Sequence, residues 1–238
     1  YNSDYYPNGI SQTDLDFLSA YAEGEETDIN KLKEIVSDNS QIKAWNILAI
    51  TFTNKAAGEL RERLGKILGE DGKDIVAATF HSACVRILRR EIERIGFSKS
   101  FTIYDSDDSQ RVIKTCLADL NIAEKQFPPK STLSIISGAK DQLITPEDFE
   151  NEAGGDYRKQ VIAKVYAAYQ AKLFSANAVD FDDIIRLTVE IFQNFPDVLE
   201  HYQNRYKFIM VDEYQDTNQA QYRLVSMLSN KHHNLCVV

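Results

Sequence analysis

Compact apolar runs alternate with apolar residues at helical spacing over one stretch of this chain, and the alternation returns near its end. Residues 46–52 (NILAITF) and 75–80 (IVAATF) are short, unbroken and β-prone, and each reads as a strand. After the first, Ala57, Leu60, Leu64, Ile67 and Leu68 fall on one helical face, with Asn54 placed to cap the helix. Asp71-Gly72 marks a turn, and 82–95 reads as a second helix stopped by Gly96. Strand, helix, strand, helix is the pattern of a parallel α/β layer.

From Phe101 the strand signal fades. Residues 105–120, 131–143 and 157–174 all carry helical spacing, punctuated by Pro128, Pro129 and Pro146. A further helix over 180–195 leads to two last strands, 206–211 and 234–238. The run Phe208-Ile209-Met210-Val211 is apolar throughout, as in a strand buried on both faces. The expected fold is therefore α/β, a parallel sheet built from 46–98 and 180–238, with an all-helical subdomain inserted over 99–179. Residues 1–45 form a polar, acidic segment with helices expected near 12–21 and 28–36. No repeat or low-complexity stretch interrupts this plan.

Composition narrows the class. The chain has 238 residues, 43% of them hydrophobic and 26% charged, enough for one large or two modest globular domains. Its three cysteines, Cys84, Cys116 and Cys236, have no metal-type spacing and cannot all pair, which suits a reduced, cytoplasmic setting. No apolar run approaches the ~20 residues of a membrane span, and the first residues resemble neither a signal nor a transit peptide. The net charge of −9 argues against nucleic acid only on average. Residues 1–45 hold nine acids and three bases, a balance of −6, whereas 55–94 hold nine bases and seven acids. Nucleic-acid binding follows the local field, so a basic groove remains open.

Three strand ends carry polar chemistry. Thr51-Phe52-Thr53-Asn54-Lys55 could hold a phosphate through hydroxyls and free helix-start N–H groups, with Phe52 offering a face for a base; equally, Asn54 could be a cap and Phe52 core. Thr79-Phe80-His81-Ser82 repeats the arrangement, and there a lone histidine suits a cap or a structural role as well. At the third, Val211 gives way to Asp212 and Glu213, before the helix-start residues Asp216, Thr217 and Asn218. Adjacent acids at the carboxyl end of a parallel strand form either a solvated turn or a Walker-B-type pair, one acid for Mg²⁺ and one for water. Asp180-Phe181-Asp182-Asp183 places acids at a helix start, where capping alone accounts for them.

Taken together, NILAITFTNKAAGELRERL (46–64), ATFHSACVRILRR (78–90), AVDFDDII (178–185) and FIMVDEYQDTNQAQY (208–222) closely resemble the superfamily 1 DNA helicases of the UvrD/PcrA/Rep type, in the order of that family's motifs Ia, Ib, Id and II. The resemblance implies a RecA-like ATPase domain (1A) carrying a helical insertion (1B), and an enzyme that uses Mg²⁺ and ATP to translocate 3′→5′ on single-stranded DNA and open duplex junctions. It implies that Asp212 holds Mg²⁺, that Glu213 activates the attacking water and that Gln215 senses the nucleotide. It also implies that Phe52, Thr53, Asn54, Thr79 and His81 touch single-stranded DNA, with Asp180 and Phe181 near the DNA path where 1B meets 1A.

One departure stands out: the chain contains no G-x-x-x-x-G-K-[ST], the loop that cradles the phosphates in this family. The expectation is a piece of a longer helicase, inactive alone, in which 1–45 are an acidic insertion. Self-association through an exposed sheet edge is expected as well. Rival readings are a non-catalytic single-stranded DNA-binding module and the helicase subunit of a RecB- or AddA-type helicase–nuclease.

Overall fold

The structure is a computed structural model and describes residues 12–29, 31–32 and 43–238. The chain divides into two compact units, residues 1–43 and 44–238. In the first, α1 (Gln12–Glu23) buries Phe17, whose ring meets Tyr21 at 6.1 Å and lies 4.4 Å beneath the Lys31 ammonium. The helix expected over 28–36 lies largely outside the described residues.

The second unit is built on four parallel strands, β1 (Ile47–Thr51), β2 (Val76–Thr79), β5 (Phe208–Val211) and β6 (Leu235–Val237), in the order β2-β1-β5-β6. Ile50 is level with Val211 on one side, and Thr51 is level with Thr79 on the other. Their helices are α2 (Asn54–Leu68), α3 (Glu70–Asp74), α4 (Phe80–Glu91), α9 (Phe181–Asn194), α10 (Pro196–Arg205) and α11 (Gln219–Ser229). Leu48, Ile50, Ile209 and Val211 turn to one side of the sheet and share a core with α4, α9 and α11.

The opposite side differs from the sequence expectation. Met210 is 47% exposed, so β5 is not buried on both faces. Ala49, Met210 and Cys236 instead line an open apolar groove of about 680 Å³, bounded by Leu60, Leu64 and Leu68 of α2 and ending at Asp212. An apolar residue in a parallel strand is buried only where something covers it, and among the described residues no helix lies over Met210. Ile67, expected on the packed face of α2, is exposed as well.

The insertion begins and ends on a two-strand pair, β3 (Thr102–Ile103) with β4 (Ala178–Val179), which the sequence reading did not anticipate. Between them lie α5 (Ser106–Asp119), α6 (Pro129–Asp141), α7 (Pro146–Ala153) and α8 (Tyr157–Ser175). These have their own core, centred on Ile113, Leu117, Ile136, Val165, Tyr166 and Tyr169.

Two local expectations are corrected. Asp71-Gly72 is not a turn but lies within the short α3, where Gly72 approaches the Leu64 carbonyl so closely that a Cβ would clash with its oxygen. Phe80, expected to end a strand, is instead the first residue of α4. Gly96 does stop the helical segment as expected, in a left-handed conformation at φ 90° after a final 3₁₀ turn over Ile92–Ile95.

Candidate functional site

Thr79, Thr51 and Val211 end three neighbouring strands, Thr79 level with Thr51 and Val211 level with Ile50, so the polar strand ends form one row along the carboxyl edge of the sheet. In open α/β sheets this edge is where ligands bind.

At β1 the helix cap is Thr53, not Asn54. Thr53 is extended, and its hydroxyl accepts from the Ala56 N–H at 3.1 Å, three residues on, where an N-cap side chain reaches. Asn54 is thereby the first helical residue, exposed and without a capping duty. Phe52 is 37% exposed and meets Phe80 edge-on at 5.5 Å, so one ring edge is packed while part of the ring faces solvent.

At β2, Thr79 is buried and caps α4, accepting from the Ser82 N–H at 3.2 Å. His81 is half-buried. Burial lowers its pKa, against the effect of a hydrogen bond to the Phe181 backbone. Its ring lies 5.6 Å from that of Phe181, which is 54% exposed. Two distant stretches of sequence thus form one aromatic step.

At β5 the backbone stays bonded beyond the last strand residue. The Asp212 N–H donates to Ile50 O at 3.0 Å and the Tyr214 N–H to Val238 O at 2.9 Å. Between them Glu213 adopts φ 53°, ψ 42°, a left-handed conformation uncommon outside glycine, asparagine and aspartate. Asp212, Glu213 and Gln215 are all exposed, and the Gln215 amide donates to the Glu213 carboxylate at 2.5 Å. Asn218 then caps α11 reciprocally with Gln221. Two exposed carboxylates offer hard oxygen donors with room for water, which fits Mg²⁺ and its preference for a partly hydrated shell. Among the described residues no cluster of three or more histidines, cysteines or acids forms an all-protein metal cage.

Asp180 lies between β4 and α9, and its carboxylate is enclosed. One oxygen caps α9 through the Asp183 N–H at 2.8 Å, and the other accepts from Lys140 at 2.6 Å and Tyr169 at 2.8 Å. Lys140 also lies 3.0 Å from Asp183, which receives Arg186 at 3.0 Å. Burial works against ionising Asp183, yet Lys140 and Arg186 outweigh it and hold the carboxyl at about 2. Burial and the neighbouring Asp183 charge push Asp180 up instead. The exposed neighbour Phe181, not Asp180, therefore has a surface to offer.

Sequence reasoning missed Lys140 and Asp141. A signal was present: Thr132, Ile136 and Lys140 recur four residues apart, and all three are buried. A lysine in the apolar row of a helix signals a buried partner.

A family model described as the UvrD/REP helicase N-terminal domain matches residues 30–238. The ATP-dependent DNA helicase PcrA of Bacillus subtilis is 53% identical over 197 residues, 83% of this chain and 26% of that protein. The protein of the same name from Staphylococcus aureus is 50% identical over 201 residues, covering 84% of this chain and 27% of its own length. The chain thus spans about a quarter of the length of the curated relatives it matches. Among the described residues, no helix is long and apolar enough to cross a membrane.

Proposed function

Since this chain belongs to the UvrD/REP helicase N-terminal domain family, we propose that it forms the ATP- and DNA-facing part of an ATP-dependent DNA helicase. The observation that carries this reading is the row of polar strand ends on one sheet edge, with the aromatic step at its β2 end and the exposed Asp212–Glu213 pair at β5. Residues 46–98 and 180–238 act as the RecA-like portion and 99–179 as the helical subdomain.

In this reading Asp212 is the Mg²⁺ ligand, and the ion, when bound with ATP, offsets charge on the phosphates. Glu213 orients and deprotonates the attacking water, and the Gln215 amide, which donates to its carboxylate, holds that carboxylate in place. Phe52, His81 and Phe181 present faces to the bases of single-stranded DNA, and Thr53 and Asn54 present polar groups to its backbone. Thr79 and Asp180 contribute by holding the starts of α4 and α9. Translocation runs 3′→5′, and the physiological substrate is a duplex junction with a single-stranded tail.

The 238 residues contain no phosphate-cradling loop, so the chain by itself is expected to bind single strands weakly and not to turn over ATP. In a helicase carrying these residues, Glu213→Gln should lower kcat by ~10²–10⁴-fold, the usual contribution of a positioned base, while ATP binding persists. Near-normal turnover in that variant removes Glu213 from the role. ATP hydrolysis by the 238-residue chain, lost on the same substitution, overturns the expected inactivity.

A further inference from the structure

Helix α6 belongs to the insertion, where Ile136 and Ala139 are part of its core. Its last two residues leave that core in different directions. Lys140 engages Asp180 and Asp183 at the start of α9, beside Phe181. Asp141 accepts a hydrogen bond from the Asn218 side-chain amide at 2.5 Å, at the start of α11 and five residues after Glu213. Immediately beyond, Leu143 turns the chain back at φ 60°, its N–H bonded to Lys140 O at 2.9 Å.

The identity of residue 218 is informative. Its side-chain oxygen accepts from the Gln221 N–H at 2.9 Å and its own N–H donates to Gln221 Oε1 at 3.0 Å. Serine, threonine or aspartate would cap a helix about as well. Asparagine caps with its oxygen and keeps a separate amide to donate, a donor that aspartate lacks, and here Asp141 takes it. An aspartate at 218 would bring two carboxylates together.

We propose that Asp141 is a positioning residue for ATP turnover: through Asn218 it fixes the loop from Asp212 to Asn218 against the helical insertion. Lys140 beside it holds the start of α9, so the end of α6 joins the nucleotide side of the sheet edge to the DNA side. This rests on the helicase reading above for its link to turnover, but not for the positioning itself.

The test has a structural and a kinetic arm. In the 238-residue chain, hydrogen exchange is followed over 212–222 for wild type, Asp141→Ala, Asn218→Asp and the double variant Asp141→Asn with Asn218→Asp. The double variant reverses the bond, since the amide placed at position 141 can donate to the carboxylate placed at position 218, which still caps the helix. Both single variants should speed exchange there by about tenfold or more, the scale of one lost charge-assisted hydrogen bond, and leave α4 unchanged. The double variant should return to within about threefold of wild type.

In the helicase carrying these residues, Asp141→Ala should lower DNA-stimulated kcat by about tenfold with little change in KM for ATP, and the double variant should recover. Wild-type exchange in Asp141→Ala, or failure of the double variant to recover either measure, overturns the proposal. If Glu213→Gln leaves turnover intact, the helicase assignment of that residue fails, and the exchange arm still decides the role of Asp141.

Discussion

The ammonium of Lys140 lies 2.6 Å from the carboxylate of Asp180, and neither side chain has appreciable exposed surface. A cation from the insertion is enclosed by anions from the α/β layer. Removing one partner of such a pair leaves an unmatched buried charge, which typically costs ~3–5 kcal/mol. Lys140→Met should therefore lower stability by about that much, measured by urea unfolding, although methionine fills most of the space. Adding Asp180→Asn should cost less than the two single changes summed, because the charge left unmatched is then gone. A fully additive double mutant would show that the two do not interact.

Acid should weaken the fold through Asp183. Its carboxyl is held at about 2 in the folded chain, below the ~3.9 of a free aspartate. The shift is downward, so the stabilisation is whole above about pH 4 and is lost as pH falls towards 2. Asp180, raised by burial, contributes with the opposite sign. Urea melts of wild type and Asp183→Asn from about pH 5 downwards should therefore converge. A constant gap would mean that Asp183 is not ionised in the fold.

Phe52 and Phe181 can be tested as stacking surfaces. Both rings are substantially exposed, so truncating either to alanine should leave thermal stability little changed. Single-strand affinity should fall by ~1–3 kcal/mol per lost stacking contact. Anisotropy titrations with a labelled oligonucleotide at several salt concentrations would report this. Unchanged affinity in both variants would make the aromatic step packing alone.

Association through the β6 edge can be tested directly. Leu235 and Val237 are 37% and 45% exposed on β6, the outermost strand of the parallel sheet among the described residues. Unpaired edge groups on an apolar strand recruit other chains. Sedimentation of the 238-residue chain should show concentration-dependent association, reduced by Val237→Lys. A monomer at every concentration would show that this edge is already protected.

Much of this architecture was legible in one sequence because it is written in short periods. β1, β2, β5 and β6 appeared as compact apolar runs, and their ends predicted which polar groups share an edge. Missed features have specific physical origins. β3 and β4 are two residues long, too short to show alternation, and they exist only because the two ends of the insertion meet. The cap at Thr53 lost out to Asn54 because both are good capping residues and only backbone geometry separates them. Helix α7 was marked by Thr145, Pro146 and Asp148, a full capping box with proline at its start, and that signal was readable. Met210 could not be judged from its own strand, since its exposure depends on what covers the neighbouring face.

The left-handed backbone of Glu213 sets stability against turnover at a single position. An L-residue in this region bears ~1–2 kcal/mol of steric cost that glycine avoids and asparagine partly avoids. A breeding experiment that rewarded only heat resistance would drift position 213 towards those residues and discard the carboxylate proposed to activate water. On the role proposed for this carboxylate, one that rewarded only ATP turnover would retain glutamate and accept the steric cost of the loop. The acid and its awkward backbone thus come as one choice, and an engineer seeking a hardier protein should leave this residue alone and look for stability elsewhere.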